Sequence, residues 1–253
     1  AREREREERA RRAAMGKLSV TKRSGESESF RVSKVERFLL RLSVGIPDID
    51  VKAIMAELQK NIYDGIPTAE VERALILSTT AFMERDPGYN TLAARLLLNR
   101  VLRRAIGKST SDEERDGNYR MAFTSAIRRG VEAEQFDAKL LEFDLDRLAG
   151  ALDLERDNLF RYIGLETLQE RYFVRIDDQP IETPQGFWMR VAMGLAIQEE
   201  EREERAIEFY NVLSSLRFVA STPTLFHAGL THPQLSSCYL STVKDDLSHI
   251  FKV

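Results

Sequence analysis

The sequence predicts a mainly α-helical protein: a β-hairpin over a four-helix unit, a second helical region, and two short strands at the end. Three observations carry this. Apolar residues recur three and four positions apart through most of the chain. Gly/Pro clusters punctuate those runs. Strand-like alternation is confined to residues 17–32 and to two short runs after residue 217.

Taken in order, residues 1–16 alternate Arg and Glu without an apolar stripe, so they read as a solvated tail or an extension. Glu5–Arg9, Glu7–Arg11 and Glu8–Arg12 are favourable helical pairs there. Residues 17–107 form a first unit. Leu18 and Val20 alternate on one hairpin arm, Phe30 and Val32 on the other, with Ser24-Gly25-Glu26 as the turn. Val35, Phe38, Leu39 and Leu42 mark a helix that Gly45 and Pro47 end. Asp50 caps a second helix carrying Val51, Ile54, Met55, Leu58 and Ile62. Tyr63–Pro67 reads as a turn, and Thr68 as the cap of a third helix through Val71, Leu75 and Phe82. A fourth helix follows Asp86-Pro87-Gly88, from Tyr89 to Arg104.

Residues 108–118 are polar and read as a linker. Residues 119–216 are helical again, with Thr183-Pro184 opening a long stretch past the acidic run Glu199–Glu204. In residues 217–253, Phe218–Pro223 reads as a short buried strand and Tyr239–Val243 as a second.

The chain has 253 residues, enough for one large domain or two small ones. With Lys+Arg 38 against Asp+Glu 41, no basic excess points to nucleic acid. No apolar run reaches the roughly 18–20 residues of a membrane span, and the start does not read as a signal peptide. A soluble, cytoplasmic protein is expected, without membrane or nucleic-acid partners. A single Cys excludes a disulfide framework or a multi-cysteine zinc site within this sequence. It also limits redox chemistry, because forming a disulfide takes two thiols.

Lys22, Arg23 and Lys34 lie beside a Gly turn and a helix N-terminus. Two readings stand: solvated surface charge on a hairpin, or a polyphosphate site. A P-loop is excluded, as no Walker-type glycine run precedes a Lys-Ser/Thr pair. Cys238 is either a buried structural thiol or a redox residue. His227, His232 and His249 have no Cys or carboxylate cluster at ligand spacing, so no metal site is expected. Asp245-Asp246 is a turn or cap, or holds a ribose hydroxyl or metal.

Three runs in the first unit resemble the ATP-cone domain: Val20-Thr21-Lys22-Arg23-Ser24-Gly25, Tyr63-Asp64-Gly65-Ile66-Pro67-Thr68, and Leu92-Ala93-Ala94-Arg95-Leu96. The later part resembles the large, catalytic subunit of ribonucleotide reductase. The motifs are Glu182-Thr183-Pro184-Gln185 with Phe187-Trp188-Met189-Arg190-Val191-Ala192, then Ser221-Thr222-Pro223-Thr224-Leu225-Phe226, then Pro233-Gln234-Leu235-Ser236-Ser237-Cys238. The resemblance spans residues 17–253 and implies that the final strands begin a ten-stranded α/β barrel.

It further implies an allosteric activity site for ATP or dATP, with Mg2+, at Lys22, Arg23, Glu28, Lys34, Thr68 and Arg103 (or Arg104). Arg31 and Glu72 stand where some members have Asn and His. Thr222 and Ser237 match residues lining the substrate site, and Cys238 one of two cysteines that form a disulfide as the ribose 2′-hydroxyl is reduced. Asp246, or Asp245, matches the start of the specificity site. The thiyl-radical Cys, the second disulfide partner and the tail cysteines of the family mechanism have no counterpart in this sequence. The chain is therefore expected to be an N-terminal portion, inactive alone. The expected partners are the C-terminal remainder of the large subunit, a radical-generating small subunit that carries the radical cofactor, thioredoxin or glutaredoxin, and further copies of itself. The rival reading is a non-catalytic ATP/dATP sensor that binds a partner protein.

Overall fold

The structure is a computed structural model, and it describes residues 13–22, 24–107 and 111–252. Residues 1–12 of the charged tail expected at 1–16 lie outside the described residues, as does Arg23; of the remainder, Met15 is buried rather than solvated. The described chain is mainly helical with little sheet. It divides into two compact units, one of residues 1–107 with 160–170, the other of 108–159 with 171–253.

In the first unit the expected hairpin forms: β1 (Ser19–Thr21) pairs antiparallel with β2 (Ser27–Ser29), Val20 opposite Glu28. Gly25 sits at φ +84°, the left-handed region that glycine enters without strain. Four helices follow: α1 (Val32–Leu42), α2 (Val51–Gln59), α3 (Thr68–Thr80) and α4 (Gly88–Ala105). Val20, Phe30, Leu39, Ile54, Leu58 and Ile66 are buried in the core of this unit. Asp50 caps α2 as expected, its carboxylate accepting from Ala53 N at 3.0 Å. Arg95 closes the end of α1, donating to the carbonyls of Leu42 and Val44 at 2.7 and 2.8 Å.

The segment read as a turn at 63–67 does more than turn. Ile66–Pro67 forms β3, which adds parallel to β1 with Val20 opposite Ile66 and Thr21 opposite Pro67. The Asp64 carboxylate fixes the register by accepting from both Ser19 N and Ser19 Oγ at 2.7 Å. A two-residue strand beside a Pro leaves almost no alternation to read. Thr68 is not the cap of α3 but its first residue. Pro67 stands at the N-cap position and offers no side-chain acceptor.

Two expected boundaries move. Residues 160–170 belong to the first unit, not to the helical region of 119–216. There, α7 (Tyr162–Thr167) packs on α4, with Leu165 fully buried and Tyr162 N donating to Asn90 Oδ1 at 2.9 Å. Helix α4 needs this second partner, because Leu92, Ala93, Ala94, Leu96 and Leu97 are all buried and span more than one face. The linker expected at 108–118 also shrinks. Helix α5 (Asp112–Glu132) begins within it, and the Ser111 hydroxyl accepts from Glu114 N at 3.1 Å. The polar run is a helix start: Ser, then Glu three residues on, with acids in the first turn.

The second unit is built round α8 (Pro184–Ala196), buried on nearly every side. Thr183 caps it from the N-cap position, accepting from Gly186 N at 3.3 Å, and Pro184 opens it. Helix α9 (Arg202–Ser214) lies along α8 and answers to the helix that the spacing predicts around Ala206–Leu216, with Ala206, Tyr210 and Leu213 buried. The 3-10 turn Ala138–Glu142, α6 (Leu145–Gly150) and the 3-10 turn Leu154–Leu159 complete the packing, with a two-residue hairpin of β4 (Arg175–Ile176) and β5 (Gln179–Pro180). Asp177 and Asp178, both at positive φ, make its tight turn.

Neither strand expected after residue 217 is present among the described residues. Phe218 and Val219 are exposed, and Ser221-Thr222-Pro223 runs into a short helix, α10 (Thr222–His227). Tyr239–Val243 has no regular structure and no strand partner, with Leu240 fully exposed. A strand exists only with a neighbour to share its ladder, and no described segment supplies one. The last helix among the described residues is α11 (Leu247–Ile250).

Gly194 on α8 lets the backbone of Ala228-Gly229 approach so closely that a Cβ would lie 2.0 Å from Gly229 N. Gly194→Ala is expected to lower stability by about 1–3 kcal/mol through overpacking, seen as a fall in thermal midpoint with the far-UV spectrum retained.

Candidate functional site

The β1–β3 register builds the first cluster. Lys22 follows Thr21 and Thr68 follows Pro67, so the pairing of Thr21 with Pro67 brings both to one end of the sheet. Lys22 Nζ lies 3.0 Å from Glu28 and 3.5 Å from Glu26. The hydrogen bond to Glu28 holds the Lys22 ammonium above its usual value, and the same bond holds Glu28 below its own. Arg31 and Lys34, at the start of α1, add weaker fields on Glu28. Arg103, near the end of α4, pairs with Glu72 of α3 at 2.9 Å. Lys22, Glu28 and Lys34 thus share one charged surface, with Thr68 beside it, while Arg103 is engaged by a carboxylate one helical turn further along α3.

The second cluster joins α10 to the loop after it. Thr224 Oγ1 donates to Leu235 O at 3.1 Å and accepts from Ser221 Oγ at 3.0 Å, while His227 Nδ1 lies 2.9 Å from Gln234 O. These bonds tie Pro233–Cys238 back to the Thr222 helix. Thr222 Oγ1 lies 3.5 Å from Tyr172 Oη, and Ser237 Oγ 3.7 Å from Cys238 Sγ. Cys238 is exposed, so the buried-thiol reading is overturned. Asp246 stands apart as the N-cap of α11, accepting from Ser248 N at 3.1 Å and Ser248 Oγ at 2.8 Å; Asp245 beside it is exposed.

What holds this cluster is a pair of charges in the core. Arg190 and Glu182 are almost completely buried. Arg190 Nε donates to Glu182 Oε1 at 3.0 Å and its second amino group to Oε2 at 3.2 Å. The remaining amino group donates to the carbonyls of Leu225 and Ala228, at the end of α10, at 3.2 and 2.9 Å. Glu182 Oε2 also accepts from Val174 N at 2.8 Å. Phe187 and Phe136 wall the guanidinium, 5.0 and 5.9 Å from its carbon. Sequence reading singled out the stretch containing both residues but gave neither a role; the signal was their eight-residue separation across a capped helix start.

A second buried network is uncharged apart from one group. Asp157 accepts from Tyr119 Oη at 3.0 Å and Gln185 Nε2 at 2.8 Å, and Tyr210 Oη donates to Gln185 Oε1 at 2.8 Å. Burial drives the Asp157 carboxyl up to about 7, against the lowering pull of Gln185, Tyr119 and Arg115. Burial also pushes the Tyr119 hydroxyl well up.

The ribonucleotide reductase all-alpha domain family matches residues 158–233, the stretch holding the Arg190–Glu182 pair and α10. The chain is 42% identical over 238 residues to the ribonucleoside-diphosphate reductase subunit alpha of Chlamydia muridarum. That match covers 93% of this chain and 23% of the relative. This chain matches the N-terminal part of ribonucleotide reductase large subunits. The Helicobacter pylori subunit alpha is 31% identical over 239 residues, covering 92% of this chain and 29% of the relative. The Danio rerio large subunit is 32% identical over 232 residues, covering 90% and 28%. The chain spans about a quarter of the length of these relatives and corresponds to the N-terminal part of a reductase large subunit. No helix among the described residues is long and apolar enough to cross a membrane.

Two variants test this scaffold. Glu182→Gln leaves Arg190 buried without its counter-charge, and a loss of about 3–5 kcal/mol is expected by denaturant unfolding. For Asp157 the folded value lies above that of the unfolded chain. The native state therefore loses stability relative to the unfolded chain as pH rises from about 4 to about 7, and the loss levels off above that. Asp157→Asn removes that slope, so the thermal midpoint of the variant minus that of the wild type is expected to increase from pH 5 to pH 8.

Proposed function

We propose that this chain is the regulatory and substrate-binding N-terminal part of an enzyme that reduces ribonucleoside diphosphates to deoxyribonucleotides. The observation that carries the reading is the tie between α10 and Pro233–Cys238, which gathers Thr222, Ser237 and an exposed thiol on neighbouring segments. A stand-alone nucleotide sensor gives no reason for this second cluster, and the relatives are named as reductases.

In this reading Thr222 and Ser237 hold the substrate while Cys238 faces the ribose. As the C2′–O bond breaks and water leaves, Cys238 and a second thiol each give up their S–H hydrogen. A disulfide forms between the two sulfurs, so two electrons and two protons pass to the nucleotide. The second thiol comes from the C-terminal remainder of the large subunit, the initiating radical from a metal- or cofactor-bearing small subunit, and re-reduction from thioredoxin or glutaredoxin. Phe218, Tyr239, Leu240, Val243, Leu247 and Phe251 are all exposed. That supports a remainder which covers them and pairs Tyr239–Val243 as an early strand of an α/β barrel.

The first unit is read as an ATP-cone. Lys22, Arg23, Lys34 and Arg103 would meet the phosphates of ATP or dATP with their Mg2+, and Glu28 and Thr68 would complete the site. Lys22 suits this role because it is only half-covered and can exchange its carboxylate partners for phosphate. Asp246 with Asp245 would open the specificity site. The switch itself is differential binding, with dATP favouring an inhibited homo-oligomer over the active assembly. The setting is the cytoplasm.

Calorimetric titration with ATP and dATP tests the cone directly. Binding is expected for the wild type and about tenfold weaker binding for Lys22→Ala, the scale of one lost charge-assisted hydrogen bond. A folded protein that binds neither nucleotide would overturn the cone. In the completed enzyme, Cys238→Ser is expected to abolish reduction while nucleotide binding is retained.

A further inference from the structure

The hydroxyls at the start of α10 are not equivalent. Thr224 gives its proton to Leu235 O and takes one from Ser221, so both are used in fastening the following loop. The Thr222 hydroxyl is engaged instead from outside the helix, by Tyr172 Oη at 3.5 Å. Tyr172 is held from two directions. Its ring stacks on Phe226 with centroids 4.4 Å apart and planes at 16°, and it meets the fully buried Phe187 edge-on at 6.3 Å. Tyr172 also ends the π-helical turn Leu168–Tyr172, an irregularity that occurs often at functional sites. The next residues are anchored in turn, since Val174 N donates to the buried Glu182.

We propose that Tyr172 is a positioning residue for the nucleotide: its stacked ring holds the phenol against Thr222 and so fixes the rotamer in which the Thr222 hydroxyl meets substrate. This rests on the substrate-site reading of Thr222 given above. An exposed threonine on a helix has alternative χ1 wells. An aromatic clamp on both the backbone turn, through Phe226, and the hydroxyl removes that freedom before substrate arrives.

The test uses the complete large subunit with its radical-generating partner, assayed for ribonucleoside diphosphate reduction. Tyr172→Phe keeps the stack and removes only the hydroxyl. It is expected to leave the thermal midpoint close to wild type and kcat within about twofold, while KM for the diphosphate rises about 3–10-fold, the scale of one neutral hydrogen bond. Thr222→Val is expected to raise KM at least as much and Thr222→Ser much less. The double variant Tyr172→Phe/Thr222→Val should be no worse than Thr222→Val alone, because Tyr172 acts through Thr222. An unmoved KM in Tyr172→Phe overturns the inference alone, as does additivity in the double variant. Should the wild-type enzyme reduce no ribonucleotide, the reading of function falls, and this inference with it.

Discussion

The second unit depends on one ion pair that water does not reach. Separated from its partner, either Arg190 or Glu182 would carry a desolvation cost of several kcal/mol. Together they satisfy each other and still have hydrogen-bonding capacity to spare, and it is this spare capacity that organises the fold. The guanidinium reaches the end of α10, the carboxylate reaches Val174, and the helix between them is the most enclosed among the described residues. The end of α10, more than thirty residues on, therefore meets α8 and the Val174 strand start at a geometry set by a planar fork and a carboxylate, which is more exacting than an apolar contact. Close packing at Gly194 and Gly229 follows, since bonds to the carbonyls of Leu225 and Ala228 draw that backbone onto α8.

The Asp157 network is the counterpart. It buries an ionisable group among neutral donors and leaves its charge answered only by distant fields. Tyr119 on α5, Gln185 on α8 and Tyr210 on α9 converge on it, so it specifies how these elements meet rather than adding much net stability. One network is locked by opposite charges; the other rests on a proton equilibrium close to neutrality.

Much of the first unit was legible because its elements are local. Alternation gave the hairpin, Asp50 its cap, and three-four spacing the four helices. What escaped reading depended on distant partners. Ile66–Pro67 is a strand only because Ser19 and Asp64 dock it, and Tyr162–Thr167 joins the first unit only because α4 has a second apolar face. The run after residue 110 looked like a linker because its residues are polar, yet those residues favour a helix start. Phe218–Pro223 and Tyr239–Val243 carry strand composition, and composition cannot supply a missing neighbour. At the candidate sites, residue types pointed to phosphate and thiol chemistry. Arg190, Glu182 and Tyr172 stayed silent, because a charged side chain reads as surface and an aromatic one as core.

The first unit is discontinuous in sequence, residues 1–107 joined by 160–170, so the backbone crosses the boundary between units three times. A module attached by a single tether can be clipped off, or exchanged between genes, by one cut. Here a cut after Gly107 frees residues 1–107 but leaves residues 160–170 of the same unit on the other fragment. A fragment ending at Gly107 would lack α7 and leave that side of α4 bare. An isolated first unit therefore needs residues 160–170 as well as 1–107, and no single cut of the chain delivers both without part of the second unit.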